Sequence, residues 1–344
     1  MRKWDGYQRG INLGGWFSQC DYSKERYDNF IKEEDFKVIS EWGLDHVRVP
    51  VDYNLVEDES GNYIEAGFEY IDRVVHWCGK YNLNMVLDLH KTYGFSFDAG
   101  EMETGFFFNE AYQERFYKLW EQFAKRYGKY SDRVAFELLN EVTDKEFISK
   151  WREISEKCIR RIRALAPDSY IVLGSYWNNH VCAVEDLQQP ADDRIIYNFH
   201  CYDPLIFTHQ GALWVMGMDP DFRLSYDREY DVICNEQKKM FPDLWNGNLP
   251  LTSDGSKKIG PEFFEALFSG AIRTAEERNV PLYCGEYGVI EKADSEDILK
   301  WFTDINAVFE KYGIGRAAWS YRGMDFDIAG EHLKGVINEL VKVF

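Results

Sequence analysis

Residues 110–127, EAYQERFYKLWEQFAKRY, and 134–141, VAFELLNE, form the unit from which the fold is read. In the first, Phe116, Leu119, Trp120 and Phe123 recur at the three- and four-residue spacing of an amphipathic helix. The second is an apolar run of strand length. The same alternation continues in both directions. Strand-like runs lie at GINLGGW (10–16), HVRVPV (46–51), NMVLDLH (84–90), YIVLGS (170–175), IIYNFHCY (195–202), PLYCGEYG (281–288) and GRAAWSY (315–321), which with 134–141 makes eight. Helical segments at 67–81, 146–165, 261–279 and 295–312 fall between them. The fifth connection, near 183–187, is short and poorly helical. Strand and helix alternating eight times predict a closed parallel β/α barrel. A doubly wound open sheet is the alternative. It would carry a glycine-rich phosphate turn after its first strand, and LGGW (13–16) lacks the GxGxxG spacing, which disfavours a dinucleotide.

The 344 residues suit one such barrel, with no interdomain linker or repeat. One connection is too long for a simple β/α turn. The stretch about 205–260 is rich in Trp, Asp, Asn, Gly and Pro, and is expected to form an insertion subdomain over the barrel mouth.

Composition narrows the ligand. A formal net charge of −19 opposes binding to nucleic acid or to an anionic membrane. Aromatic residues make up 17% of the chain, more than a core needs, and exposed rings suit the C–H faces of sugars. No run of apolar residues is long enough to span a membrane. The N-terminus MRKWDGYQRGINLGGW shows no apolar signal core, and the seven cysteines lack CxxC spacing. A cytoplasmic protein is expected, or a secreted one if a signal segment has been removed.

In β/α barrels the chemistry sits at the C-terminal strand ends. Here those ends carry Arg48, Asp88, His90, Asn140, Glu141, Ser175, Tyr176, Trp177, His200, Tyr202, Glu286, Tyr287 and Trp319. Glu141 and Glu286 end the fourth and seventh strands on opposite sides of the ring. Two carboxylates facing each other across a cleft are the equipment of a glycosidase, and a separation of ~5–5.5 Å gives retention of anomeric configuration. Asp88 is expected to be structural, as is Glu137, salt-bridged at the barrel base. Residues 137, 139 and 141 share one parity, so the strand has to bend near Asn140 for Glu137 and Glu141 to differ in role.

RGINLGGWF (9–17), DHVRVPVDY (45–53), VLDLH (86–90), FELLNEV (136–142), YNFHCYDP (197–204) and YCGEYGV (283–289) together resemble glycoside hydrolase family five, over essentially the whole chain. The likeness is to compact cellulase and lichenase-type β-glucanases with a subdomain inserted after the sixth strand. It implies Glu141 as acid/base and Glu286 as nucleophile. Asn140 would contact the hydroxyl beside the reacting carbon, and Arg48 would pair with the nucleophile. His90 and His200 would bind substrate or support it, Tyr202 is the sixth-strand aromatic, and Trp319 is a platform under the reacting sugar. No metal or other cofactor is implied.

The chain departs from the family pattern at His90-Lys91, where cellulase-type members often have two histidines, and at Tyr176-Trp177 and Ser320-Tyr321-Arg322. Lys91 and Arg322 are candidates to meet a modified sugar or an aglycone. Trp177 is a candidate for substrate binding, although Trp177, Trp214 and Trp245 equally suit packing of the insertion.

The expected activity is retaining hydrolysis of β-glucans or cello-oligosaccharides by a monomeric enzyme. Alternatives are an exo-acting β-1,3-glucanase or a β-glucosidase on short glycosides. A metal-dependent barrel hydrolase would want His-x-His on the first strand, which INLGGW does not supply. A non-catalytic sugar-binding barrel would not need both acids.

Overall fold

The computed structural model describes residues 1–98, 105–242 and 257–344. Its strands are β1 (Gly10–Asn12), β2 (His46–Asp52), β3 (Asn84–Lys91), β4 (Val134–Glu137), β5 (Ile171–Leu173), β6 (Ile195–Cys201), β7 (Leu282–Tyr287) and β8 (Gly315–Ala318). They pair in sequence order into a closed barrel, all parallel, with β8 returning to β1. The open-sheet alternative is thereby excluded.

The helices Glu65–Lys80, Glu110–Tyr127, Ile148–Leu165, Pro261–Arg278 and Ser295–Tyr312 fall where the apolar periodicity places them. In Glu110–Tyr127 the buried side chains include Phe116, Leu119, Trp120 and Phe123, and the Asn109 side chain caps its start by accepting from the Ala111 N–H. The fifth connection is a 3₁₀ segment, Val181–Asp186. Among the described residues no helix is long and apolar enough to cross a membrane.

After β6 the chain forms a short turn, Leu205–Thr208, and a helix, Tyr230–Met240, before the barrel helix Pro261–Arg278. Gln237, buried in that helix, accepts the Ile206 N–H at 2.9 Å. Tyr226 ties the insertion to the barrel helix Ser295–Tyr312, donating its N–H to Asp297 and its hydroxyl to Asp304, both at 3.0 Å. The stretch 243–256, with Trp245, lies outside the described residues.

The barrel lumen has two layers. At the bottom, Trp4 and Tyr7 stack at 3.9 Å and pack with Val86, Ala135, Val172, Ile196, Tyr283 and Ala317. His46 joins this floor, bonded to Asp45 at 2.7 Å and to the Tyr283 hydroxyl at 2.8 Å. Gly10 leaves room for that imidazole, which a Cβ would meet at 2.3 Å. Above lies a layer built around Arg48. Its five N–H donors reach Glu137 (2.7 and 2.9 Å), Asn12 (2.9 Å), Asn140 (2.7 Å) and Glu286 (2.8 Å). Asp88 completes the cage at 3.0 Å. An unpaired cation at this depth would cost several kcal/mol, on the order estimated for buried ions, so these partners are obligatory.

Glu137 is therefore structural and salt-bridged as expected, but in the middle of the lumen on Arg48 rather than at the barrel base. The parity conflict is resolved by the early end of β4. Regular pairing stops at Glu137, and both Leu138 and Leu139 then enter the apolar core. Two successive outward residues reset the phase and bring Asn140 and Glu141 to the mouth.

Candidate active site

The mouth opens into a cleft of about 1010 Å³. Seven of the singled-out residues line it: His90, Glu141, Trp177, His200, Tyr202, Glu286 and Trp319. Arg48 lies beneath the cleft, fully buried, and Asn140, almost fully buried, sets its amide beside the cleft-lining His90. Arg48 was expected to pair with the nucleophile, and its guanidinium lies 2.8 Å from Glu286. Every one of its donors is committed to protein, so it acts by holding other groups.

One carboxylate oxygen of Glu141, one of Glu286 and a ring nitrogen of His200 lie within 4.8 Å of one another. An approach this close accords with the retaining separation of ~5–5.5 Å rather than with the ~6.5–9.5 Å of an inverting pair. Glu286 is gripped from two sides, its Oε1 accepting from Arg48 at 2.8 Å and its Oε2 from the Tyr202 hydroxyl at 2.9 Å. Its backbone approach is fixed by Gly285, whose N–H donates to Asn198 Oδ1 at 2.9 Å. A Cβ there would fall 2.7 Å from that oxygen.

Glu141 has a different environment. Its Oε1 lies 2.7 Å from His200 Nδ1, and its Oε2 accepts from Asn178 Nδ2 at 2.8 Å. Burial pushes its carboxyl up to about 7, against the pull of the Asn178 donor and Arg48. The two acids are thus set apart by their partners: one is paired with a cation, and the other is a buried carboxyl able to carry a proton near neutral pH. Burial lowers His200 to about 4 and His90 likewise, so both rings are neutral at neutral pH.

Asn140 Oδ1 accepts from Arg48, which leaves its NH₂ directed toward His90 Nε2 at 3.5 Å and free to donate further. His90 is oriented from behind by Asp88, 2.6 Å from its Nδ1. Asp88 is thus the structural acid it was expected to be. Trp319 lies parallel to the His90 ring, 5.8 Å away with 4° between planes, and presses on Gly14, where a Cβ would meet the indole at 2.9 Å. The first glycine of LGGW is therefore a packing requirement of the cleft floor.

Ser175, Tyr176 and Tyr287 end their strands away from the cleft. Tyr287 donates to Asn306 behind the barrel wall, and Tyr176 bonds Asp186. Neither Lys91 nor Arg322 lines the cleft: Lys91 pairs with Asp98 at 2.8 Å, and Arg322 with Asp35 at 3.0 Å and the Phe30 carbonyl at 2.7 Å. Both ionic commitments correct the expectation that they reach toward an aglycone.

Sequence reasoning missed Asn12, Asn178, Asp203, His209 and Phe326. Asn12 ties β1 to β7 and β8 through the carbonyls of Gly285 (2.8 Å) and Ala317 (3.0 Å). Asp203, His209 and Phe326 line the cleft, and Trp214, half-exposed, joins them as a wall residue rather than as internal packing of the insertion. Burial pushes His209 down to about 4. Asn178 had a signal, the Asn-Asn pair just after β5, since asparagine tolerates left-handed backbone.

Comparison with known proteins agrees with this geometry. The cellulase model (glycosyl hydrolase family 5) matches residues 5–325. Cellodextrinase A of Ruminococcus flavefaciens is 53% identical over 316 residues, 92% of this chain and 86% of that protein. Endoglucanase C of Acetivibrio thermocellus is 39% identical over 345 residues, 98% and 97% of the two chains. Among solved structures, Cel5A of Thermotoga maritima in complex with cellobiose superposes with a TM-score of 0.75 at 25% identity, covering 98% of this chain and 97% of that one.

Proposed function

The chain belongs to the cellulase family, glycosyl hydrolase family 5, and from that premise we propose that it hydrolyses β-1,4-linked cello-oligosaccharides with retention, using Glu286 as nucleophile and Glu141 as acid/base. Cellulase-like hydrolysis of β-glucans follows from the family. The retaining mechanism rests on one observation, two carboxylates with oxygens within 4.8 Å at the cleft floor. Preference for short soluble chains is supported by the cellodextrinase named above and by Trp214 and His209 of the insertion, which wall the cleft.

In the first step Glu286 attacks the anomeric carbon from below as the glycosidic C–O bond breaks. The departing oxygen takes the proton of Glu141, leaving a glycosyl ester on Glu286. In the second step water attacks that carbon, Glu141 takes its proton, and the ester bond to Glu286 breaks. Two inversions give net retention. The Asn140 amide donates to the hydroxyl beside the reacting carbon, and Trp319 offers its face to that sugar ring. Tyr202, holding Oε2 of Glu286 in the free enzyme, keeps the attacking oxygen aimed.

The test is product analysis on cellopentaose, laminaripentaose and mixed-linkage glucan, with proton NMR of the first-formed anomer. Release of β-anomeric cellobiose or cellotriose from cellopentaose, with laminaripentaose cut far more slowly, is expected. An α-anomeric first product overturns the retaining assignment. Preferential cleavage of laminaripentaose overturns the substrate.

A further inference from the structure

Directly after β5, Trp177, Asn178 and Asn179 adopt three consecutive left-handed conformations, with φ of 51°, 54° and 56°. For L residues this conformation is disfavoured by the clash of Cβ with the following carbonyl, least for asparagine. The turn is held by the segment that carries the acid. The Trp177 N–H donates to the Thr143 carbonyl at 3.1 Å and the Asn178 N–H to the Val142 carbonyl at 3.0 Å. Asn179, buried, donates its amide to the Asn140 carbonyl and fills space that Gly174 leaves empty, where a Cβ would lie 2.2 Å from Asn179 Oδ1. Strain of this kind persists only where surrounding contacts over-determine it.

What the turn delivers is the Asn178 side chain, in the cleft wall, with Nδ2 2.8 Å from Glu141 Oε2. The other oxygen, Oε1, faces His200 Nδ1 at 2.7 Å. On the far side of that ring, Nε2 faces the Asn198 amide nitrogen at 3.5 Å, which makes Nε2 the acceptor and Nδ1 the N–H. Resting on the assignment of Glu141 as acid/base, we propose that Asn178 is a positioning residue. By donating to Oε2 it leaves the transferable proton only the lone-pair directions that open toward the cleft and the glycosidic oxygen. The amide nitrogen cannot accept a hydrogen bond, so a proton directed at Asn178 is excluded. When Glu141 then acts as base, the same N–H stabilises its carboxylate, opposing the burial that disfavours charge. Asn178 serves both half-reactions without touching the bond that breaks.

Asn178→Gly and Asn178→Asp test this, since both replacements accept a left-handed backbone. The readouts are pH profiles of kcat/KM on cellotetraose and on 2,4-dinitrophenyl β-cellobioside, whose leaving group needs no proton. For Asn178→Gly the alkaline limb on cellotetraose is expected to move up by roughly half a pH unit or more, because a donor to the carboxylate is lost. Its kcat/KM should fall about tenfold on cellotetraose and less than about threefold on the dinitrophenyl substrate. Asn178→Asp, which sets a second carboxyl beside the first, should move the limb further in the same direction. Limbs that stay within ~0.2 unit of wild type in both variants, or equal losses on both substrates, overturn the proposal. If the glycine variant fails to fold, the aspartate variant alone decides. A wild type that yields no β-anomer overturns the acid/base assignment itself, whereas a wild type that behaves as proposed beside unshifted variants removes Asn178 alone.

Discussion

The two ends of the barrel lumen are built from the same strands and have opposite chemistry. At the bottom, Val86, Ala135, Val172, Ile196 and Ala317 close over a Trp4–Tyr7 plug. Two residues further along β3, β4 and β6 the inward positions are Asp88, Glu137 and Asn198, gathered about Arg48 or its carboxylates. The period-two geometry of a strand allows both, since every second side chain enters the lumen. What differs is the supply of partners. The lower layer needs mainly volume and shape, with the His46 ring met by Asp45 and the Tyr283 hydroxyl. In the upper layer each charge taken out of water requires its counter-charge and hydrogen bonds in place. The lower end can therefore hold the barrel together without contributing to the chemistry, and the upper end contributes to both.

The separation makes testable claims. The largest effect belongs to the top of the upper layer. Glu286→Gln should abolish turnover of cellotetraose, by roughly 10⁴-fold or more, in a protein that stays folded because Arg48 keeps Glu137 and Asp88 as counter-charges. Glu141→Gln should lose roughly 10²- to 10⁴-fold in kcat/KM on the same substrate but keep most of its kcat/KM on 2,4-dinitrophenyl β-cellobioside, with kcat on both held down by the unassisted second step. Significant hydrolysis by Glu286→Gln would break the comparison at its root.

Next come two substitutions of similar expected cost at opposite ends. Arg48→Met strands Glu137 and Asp88 as buried, unpaired acids and should destabilise by about 3–5 kcal/mol. Trp4→Ala should cost about 3–5 kcal/mol by leaving a cavity in the plug. Denaturant unfolding gives both values. Assayed where both variants remain folded, kcat should collapse for Arg48→Met and stay near wild type for Trp4→Ala. Equal losses of kcat would mean that the layers are not functionally separate. The smallest effect sharpens the same line: Ile196→Val should lower stability by about 0.5–1.5 kcal/mol and leave kcat within about twofold.

The barrel was legible because apolar periodicity reports burial, and burial was repeated eight times in chain order. The helices 110–127 and 295–312 were placed to the residue from their apolar periodicity, and in the structure each starts at a capping side chain, Asn109 and Asp294. Strand ends were less legible. The run 134–141 reads as one strand, yet pairing ceases at Glu137, because nothing in the sequence records that Leu138 and Leu139 both turn into the outer core. Glu141 and Glu286 stood out as acids ending apolar runs. Arg48 also stood out, but its distance from the cleft did not: a charged residue at a strand end looks the same whether it meets ligand or five protein acceptors. Lys91 and Arg322 were misjudged for the same reason, since their partners Asp98 and Asp35 lie elsewhere in the chain.

By itself, then, the sequence determined the order of strands and helices, the class of barrel and which two acids could carry a glycosidic reaction. These follow from patterns confined to a few neighbouring residues, such as hydrophobic period, capping and carboxylates closing apolar runs. Only the tertiary structure decided how far apart the two acids stand, that Arg48 is enclosed by protein acceptors on every side, and that Asn178 and His200 divide the oxygens of Glu141 between them. Those outcomes depend on partners brought together from distant strands in a medium of low dielectric, where a shift of an ångström changes both the charge a group carries and the bond it can make.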